Sequence, residues 1–159
     1  MIGKNMDEYI IYFSIAQLKI GLFIKDVHRV IRAVEITPLP GAPEIVQGIV
    51  NVEGEIIPVV NFRKRFQLNE KKISQTDKII IVKSTHLDFC FFSDDVIDLK
   101  LITQDRITKS ENLIPGTDKL IEGITLVENE IILIHDISKF LSLGEEKQIK
   151  KAIDNASKH

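Results

Sequence analysis

Apolar residues recur along the chain in short runs with the period of β-strands: residues 9–15, 18–24, 46–52, 55–60, 78–82, 87–92, 120–127 and 131–135. The runs are rich in Ile, Val and Phe, and Gly, Pro or polar residues separate them at the spacing of sandwich or barrel strands. Helical periodicity is scarce. Short helices are expected over residues 25–31 and 62–68, with a longer one possible from Asp136 onward. Residues 144–159 (GEEKQIKKAIDNASKH) are polar and weakly helical, which predicts a tail that is either a frayed helix or disordered.

The strand runs repeat. Residues 46–66 (VQGIVNVEGEIIPVVNFRKRF) align without gaps on residues 121–141 (IEGITLVENEIILIHDISKFL), with eight identities in twenty-one positions. Residues 8–30 align on 77–99, matching Ile10 and Ile11 with Ile79 and Ile80, Leu18 with Leu87, Phe23 with Phe92, and Asp26-Val27 with Asp95-Val96. The offset grows by six residues between the two matches, which places an insertion between Leu101 and Pro115. Chance likeness between β-rich segments is the alternative. The turn residues favour true repetition, because Glu53-Gly54 and Glu128-Asn129 stand at equivalent places and a two-residue hairpin loop needs positive φ, which Gly and Asn tolerate best. Pro58 cannot donate a ladder hydrogen bond, so its strand is expected at a sheet edge or bulged; Leu133, at the matching position, is unrestricted. The expected fold class is all-β: two small β-barrels packed together, with a binding groove between them.

Composition narrows the function. Twenty-one Lys and Arg against 23 Asp and Glu give a net charge of -2, so no basic field for nucleic acid exists. No apolar run has membrane-spanning length and no secretory signal opens the chain, which makes a cytoplasmic location the default and direct membrane insertion unexpected. Cys90 is the only cysteine, and its run Phe89-Cys90-Phe91-Phe92 reads as a buried strand rather than a nucleophile. His28, His86, His135 and His159 lack metal-ligand spacing. Asp94, Asp95 and Asp98 lie in an apolar strand context unlike a calcium loop. No phosphate-binding loop, dinucleotide fingerprint, nucleophile elbow or HExxH is present. No catalytic residue, metal or cofactor is therefore expected, and the chain reads as a protein that works through its surfaces.

One stretch carries a more specific signal. Residues 36–62 (ITPLPGAPEIVQGIVNVEGEIIPVVNF) resemble the signature of the CheW-like family, in which a Pro-containing segment leads into a G-[IV]-x-N-L-R-G-x-[IV]-[IV]-P-[IV]-x-[DN]-[LF] hairpin. Residues 21–30 resemble the family's short strand and helix, and Asp94 to Val96 stand at its V-D-x-V element; the likeness extends over about residues 8–143. It implies two tandem five-stranded SH3-like barrels, the first mainly residues 8–76 and the second mainly 77–143, with exchange of strands between them possible. It also implies a non-enzymatic adaptor in bacterial chemotaxis, coupling the cytoplasmic tip of a chemoreceptor to the regulatory domain of a CheA-type histidine kinase. Receptor hairpins are expected in the groove between the barrels, and kinase or sibling adaptor domains at the barrel ends. Carried over by residue, Val27, Arg29, Val30, Asn51 and Glu53 match the receptor-binding region, while Ile36, Thr37 and Gly48 match a kinase-facing surface. The family commonly has Glu where Arg29 stands and Arg where Glu53 stands, Asp at Asn61, and Gly at Cys90 and Asp95. A divergent adaptor of another two-component or motility pathway is the alternative, with a small ligand-binding barrel or enzyme behind it.

Overall fold

The computed structural model describes residues 7–109 and 121–157. Eleven strands follow one another: β1 (Asp7–Ile15), β2 (Leu18–Phe23), β3 (Val27–Arg32), β4 (Val46–Val52), β5 (Glu55–Val60), β6 (Lys78–Val82), β7 (Phe89–Ser93), β8 (Asp95–Thr103), β9 (Thr108–Lys109), β10 (Ile121–Val127) and β11 (Glu130–His135). Among the described residues two α-helices accompany them, α1 (Phe62–Arg65) and α2 (Leu143–Ser157). The strands form one sheet in the order β3-β6-β7-β5-β4 and a second in the order β8-β1-β2-β11-β10-β9.

The two orders are the same once the repeat is applied, and they reveal a reciprocal exchange. The hairpin β1–β2 belongs to the first sequence repeat but joins the sheet of β10–β11; its counterpart β6–β7 joins the sheet of β4–β5. The repeated hairpins agree in detail. Strands β4 and β10 share one burial pattern along their seven residues, and each ladder breaks register at the equivalent place, between Val46 and Gly48 and between Ile121 and Gly123. Gly54 and Asn129 both have positive φ, at 88° and 67°, as the turn chemistry requires. Thr37 bridges Ile49 as Thr108 bridges Ile124, so the repeat offset has grown by only two residues before Thr108. The remaining four of the expected six-residue insertion fall in residues 110–120, outside the described residues.

Period-two alternation explains why the strands look continuously apolar: both faces are buried. In β1, Ile10 and Tyr12 face the interior of the second barrel with Ile132 and Ile134, while Ile11, Phe13 and Ile15 face a central core. In β6, Ile79 and Ile81 fill the first barrel with Val50, Val59 and Cys90, while Ile80 and Val82 face that same central core. Phe62, Phe89, Phe91, Phe140 and Ile149 complete it, so the largest of the three apolar clusters lies between the sheets.

Three expectations are corrected. Residues 25–31 are not a helix: a single 3-10 turn over Ile24–Asp26 leads into β3, because Val27, Val30 and Ile31 suit a pleated strand and β6 offers a free edge to pair with. The polar end, as far as it is described, is neither a frayed helix nor disordered but the helix Leu143–Ser157. Helix α2 buries Ile149 and Ala152, and Arg65 Nη2 grips the Glu145 carboxylate at 2.7 and 2.8 Å. Pro58 lies in an internal strand, with β5 between β7 and β4. Its missing N–H is accommodated on the β7 side, where the parallel ladder is the single pair Val59–Cys90; the second barrel has two pairs there, Leu133–Ile20 and Ile134–Gly21.

Candidate protein-interaction site

The edge of the first barrel brings together residues far apart in sequence. A bulge between Val27 and Arg29 in the pairing of β3 with β6 sets His28 out of register and turns Arg29 toward the β4–β5 turn. There its Nη1 and Nη2 donate to the two carboxylate oxygens of Glu53 at 3.2 and 3.4 Å. Glu53 and Gly54 form the turn with φ of 51° and 88°, and Asn51 Oδ1 accepts the Gly54 N–H at 2.9 Å. Asn51 thus holds the turn that presents Glu53. Val30 stands exposed on the same strand, whereas Val27 packs against the central core.

The second barrel repeats this edge with different charges. Val96 packs on the central core as Val27 does, and a bulge at Ile97 corresponds to that at His28. Leu99 stands exposed where Val30 does. Asp98 occupies the place of Arg29 and Glu128 that of Glu53; Lys100 bridges these two acids at 3.6 and 3.8 Å. This strand was not anticipated, although the alignment of residues 8–30 on 77–99 contained its signal. The neighbouring Asp94 is structural: its oxygens accept from Arg63 Nη2 at 2.8 and 2.9 Å, and one also accepts the Ala16 N–H at 2.8 Å. It ties α1 to the β1–β2 turn and the β7–β8 crossing.

A separate patch gathers Ile36, Thr37 and Gly48. Thr37 and Ile49 exchange backbone hydrogen bonds, both of 2.8 Å. A Cβ on Gly48 would lie 2.4 Å from the Thr37 carbonyl oxygen and 2.6 Å from Ile36 Cγ2, so only glycine lets this segment close on β4. Gly123 meets Thr108 and Ile107 in the same way. Thr37 is exposed and Ile36 half-buried against the first barrel's interior.

Titratable groups elsewhere serve the fold. Burial pushes the Cys90 thiol up to about 12, far from a working nucleophile. His135 is buried among Phe62, Phe66 and Phe140, with ring centroids 4.7 to 6.0 Å away, and burial lowers its pKa to about 4. Its Nδ1 donates to the Leu133 carbonyl at 3.1 Å. Asp26 and Glu122 are raised first by burial, and Glu8 and Asp136 add like charge to both. Among the described residues, no group of three or more His, Cys, Asp or Glu is arranged to hold a metal ion, and no helix is long and apolar enough to cross a membrane.

Two interlocked barrels, with charged edges and a glycine-closed patch, define a module built to present surfaces. The family model for the CheW-like domain matches residues 10–145, and the chain belongs to that family. It is 26% identical over 146 residues to a Chemotaxis protein CheW of Thermotoga maritima, covering 91% of this chain and 92% of the relative. It is 24% identical over 146 residues to Protein FrzA of Myxococcus xanthus, covering 87% and 88%. The crystal structure of the scaffolding protein TtCheW from Thermoanaerobacter tengcongensis superposes with a TM-score of 0.78 at 31% identity, covering 88% of this chain and 96% of that one. The fold is two tandem SH3-like barrels, and the protein is a chemotaxis scaffold of the CheW family.

Proposed function

We propose that this scaffold couples the cytoplasmic tip of a chemoreceptor to the regulatory domain of a CheA-type histidine kinase, acting in the cytoplasm, in stoichiometric amounts and without chemistry of its own. The receptor is received at Val27, Arg29, Val30, Asn51 and Glu53, and the kinase at Ile36, Thr37 and Gly48. One juxtaposition carries the reading: Arg29 of β3 and Glu53 of the β4–β5 turn form a bidentate ion pair beside the exposed Val30 at the barrel edge. Such an exposed pair contributes only about 0 to 1 kcal/mol to stability, so its use lies in choosing partners, where a misplaced like charge is penalised.

The experiment follows from that division. Arg29→Glu or Glu53→Arg alone should weaken binding to the receptor tip while leaving the melting temperature nearly unchanged. The double exchange should restore stability more than affinity for the native receptor. Unchanged receptor affinity in both single variants, measured by co-sedimentation with receptor and kinase, would refute the assignment. The match to FrzA keeps a second reading open, a scaffold serving another signalling pathway with the same surfaces. Failure to join receptor and kinase into one complex would favour it.

A further inference from the structure

The reciprocal exchange of hairpins divides the molecule differently from its covalent connectivity. Residues 7–66 supply β1 to β5 and α1, and residues 78–157 supply β6 to β11 and α2, yet each sheet takes strands from both parts. The seams between the parts are the β3–β6 and β1–β8 ladders, the short parallel pairings of β5 with β7 and of β11 with β2, and the Arg65–Glu145 ion pair. One covalent link, residues 67–77, crosses from the first part to the second. None of these seams uses the link itself, so a second copy of the chain satisfies them as well as the first does.

The link is folded short. Lys71 Nζ donates to both carboxylate oxygens of Asp77 at 2.9 Å, Asp77 Oδ2 also accepts the Ser74 N–H at 2.8 Å, and the Asn69 carbonyl accepts from Arg63 Nη1 at 3.0 Å. Asp77 is buried just ahead of β6. Pulled straight, residues 67–77 reach roughly 35–40 Å, more than the roughly 30 Å diameter of a small domain, so the opened link runs from one two-barrel body to another beside it.

We infer that the chain pairs with a second copy of itself by trading halves, in a two-fold dimer whose bodies each combine residues 7–66 of one chain with residues 78–157 of the other. The occupant of every seam is thereby fixed, because the strand registers that close the monomer also close the dimer. The Lys71–Asp77 clasp keeps the link short and favours the monomer. A flexible link supplies the missing half at an effective concentration on the order of mM, so exchange competes when the chain folds near that concentration. Such a dimer carries Arg29, Glu53, Thr37 and Gly48 twice. On the functional reading given above it is a bivalent scaffold, a consequence that rests on that reading, whereas the exchange does not.

The test uses two variants of the full chain, Tyr9→Cys and Leu101→Cys. These residues face each other in the β1–β8 ladder from opposite sides of the divide; both are about half exposed, at 48% and 49%, while Cys90 is buried. Each chain carries one new thiol, so trading halves places a thiol from each chain side by side, at disulfide distance. Unfolded together in urea, refolded and oxidised, they should give about tenfold or more 9–101-linked dimer at about 1 mM than at about 1 µM. The unaltered chain, refolded at the same concentrations, should show the same rise in dimer by sedimentation velocity. Lys71→Ala, added to both variants, should raise the linked share at the lower concentration by about threefold; an unchanged share would overturn the role given to the clasp. No linked dimer together with a monomeric unaltered chain would overturn the inference. An unaltered chain that dimerises without a 9–101 link in the variants would overturn it in favour of a contact between intact monomers. Equal yield from variants mixed after folding, or from Tyr9→Cys refolded alone, would overturn it in favour of collision between exposed thiols.

Discussion

Gly48 shows how little room single residues leave in this protein. The Thr37 carbonyl approaches so closely that a methyl group cannot enter without moving backbone, and the neighbouring Ile36 side chain closes the other side. Gly48→Ala should therefore break the Thr37–Ile49 bridge and destabilise the first barrel by about 1 to 3 kcal/mol. Gly54→Ala, at an open turn with nothing within 4 Å of the added carbon, should cost less, because only its positive φ is penalised. Urea melts of the two variants compare them directly; a Gly54→Ala variant less stable than Gly48→Ala would contradict the close-approach argument. Both glycines stand out in sequence, but only the turn glycine announces its reason there. The need for Gly48 comes from residues 36 and 37 folding back against it, which no local pattern encodes.

At the scale of elements, β11 ends in a residue that links the fold to pH. His135 is neutral when folded, since burial among aromatic rings holds its pKa near 4 against about 6.5 when unfolded. The unfolded chain then binds the proton first as pH falls, so stability is lost progressively from about pH 6.5 down to about pH 4 and is unaffected above. By pH 5 the loss should be roughly 2 kcal/mol. Asp26 and Glu122, raised in the fold, act in the opposite sense, so the histidine contribution is read as the difference between the native chain and His135→Phe. Denaturant melts at pH 7 and pH 5 should show the native chain losing more stability than the variant. Equal losses would mean that His135 is not the titrating group.

The whole molecule is held together by exchange. Residues 7–23 complete the sheet of β8 to β11, and residues 78–93 complete the sheet of β3 to β5, so neither half of the chain can build a whole sheet by itself. A chain cut between residues 76 and 77 should give two fragments that are each unfolded in circular dichroism. Mixed in equal amounts, they should recover the native spectrum and melt in one transition. A fragment that folds alone would show that the exchange is incidental to stability.

Much of this architecture is local in origin and so legible in the sequence. Period-two alternation marks eight strands, the turns at Gly54 and Asn129 state their own backbone demand, and the repeated hairpins bury the same positions because the same pattern is written twice. Tertiary structure decided the rest. Val27 to Ile31 has apolar positions compatible with helix or strand, and the free edge of β6 settled the choice. The three-residue turn at Ile24–Asp26 rises about 6 Å, too little to carry β3 across β1, since places two strands apart lie about 10 Å from each other. The chain must pass into the other sheet, and the exchange follows. Helix α2 is polar enough to read as a tail until the central core presents a surface for Ile149 and Ala152. Arg29 meets Glu53 only in the folded barrel, where β3 and β4, the two end strands of the first sheet, bring together side chains 24 residues apart in sequence.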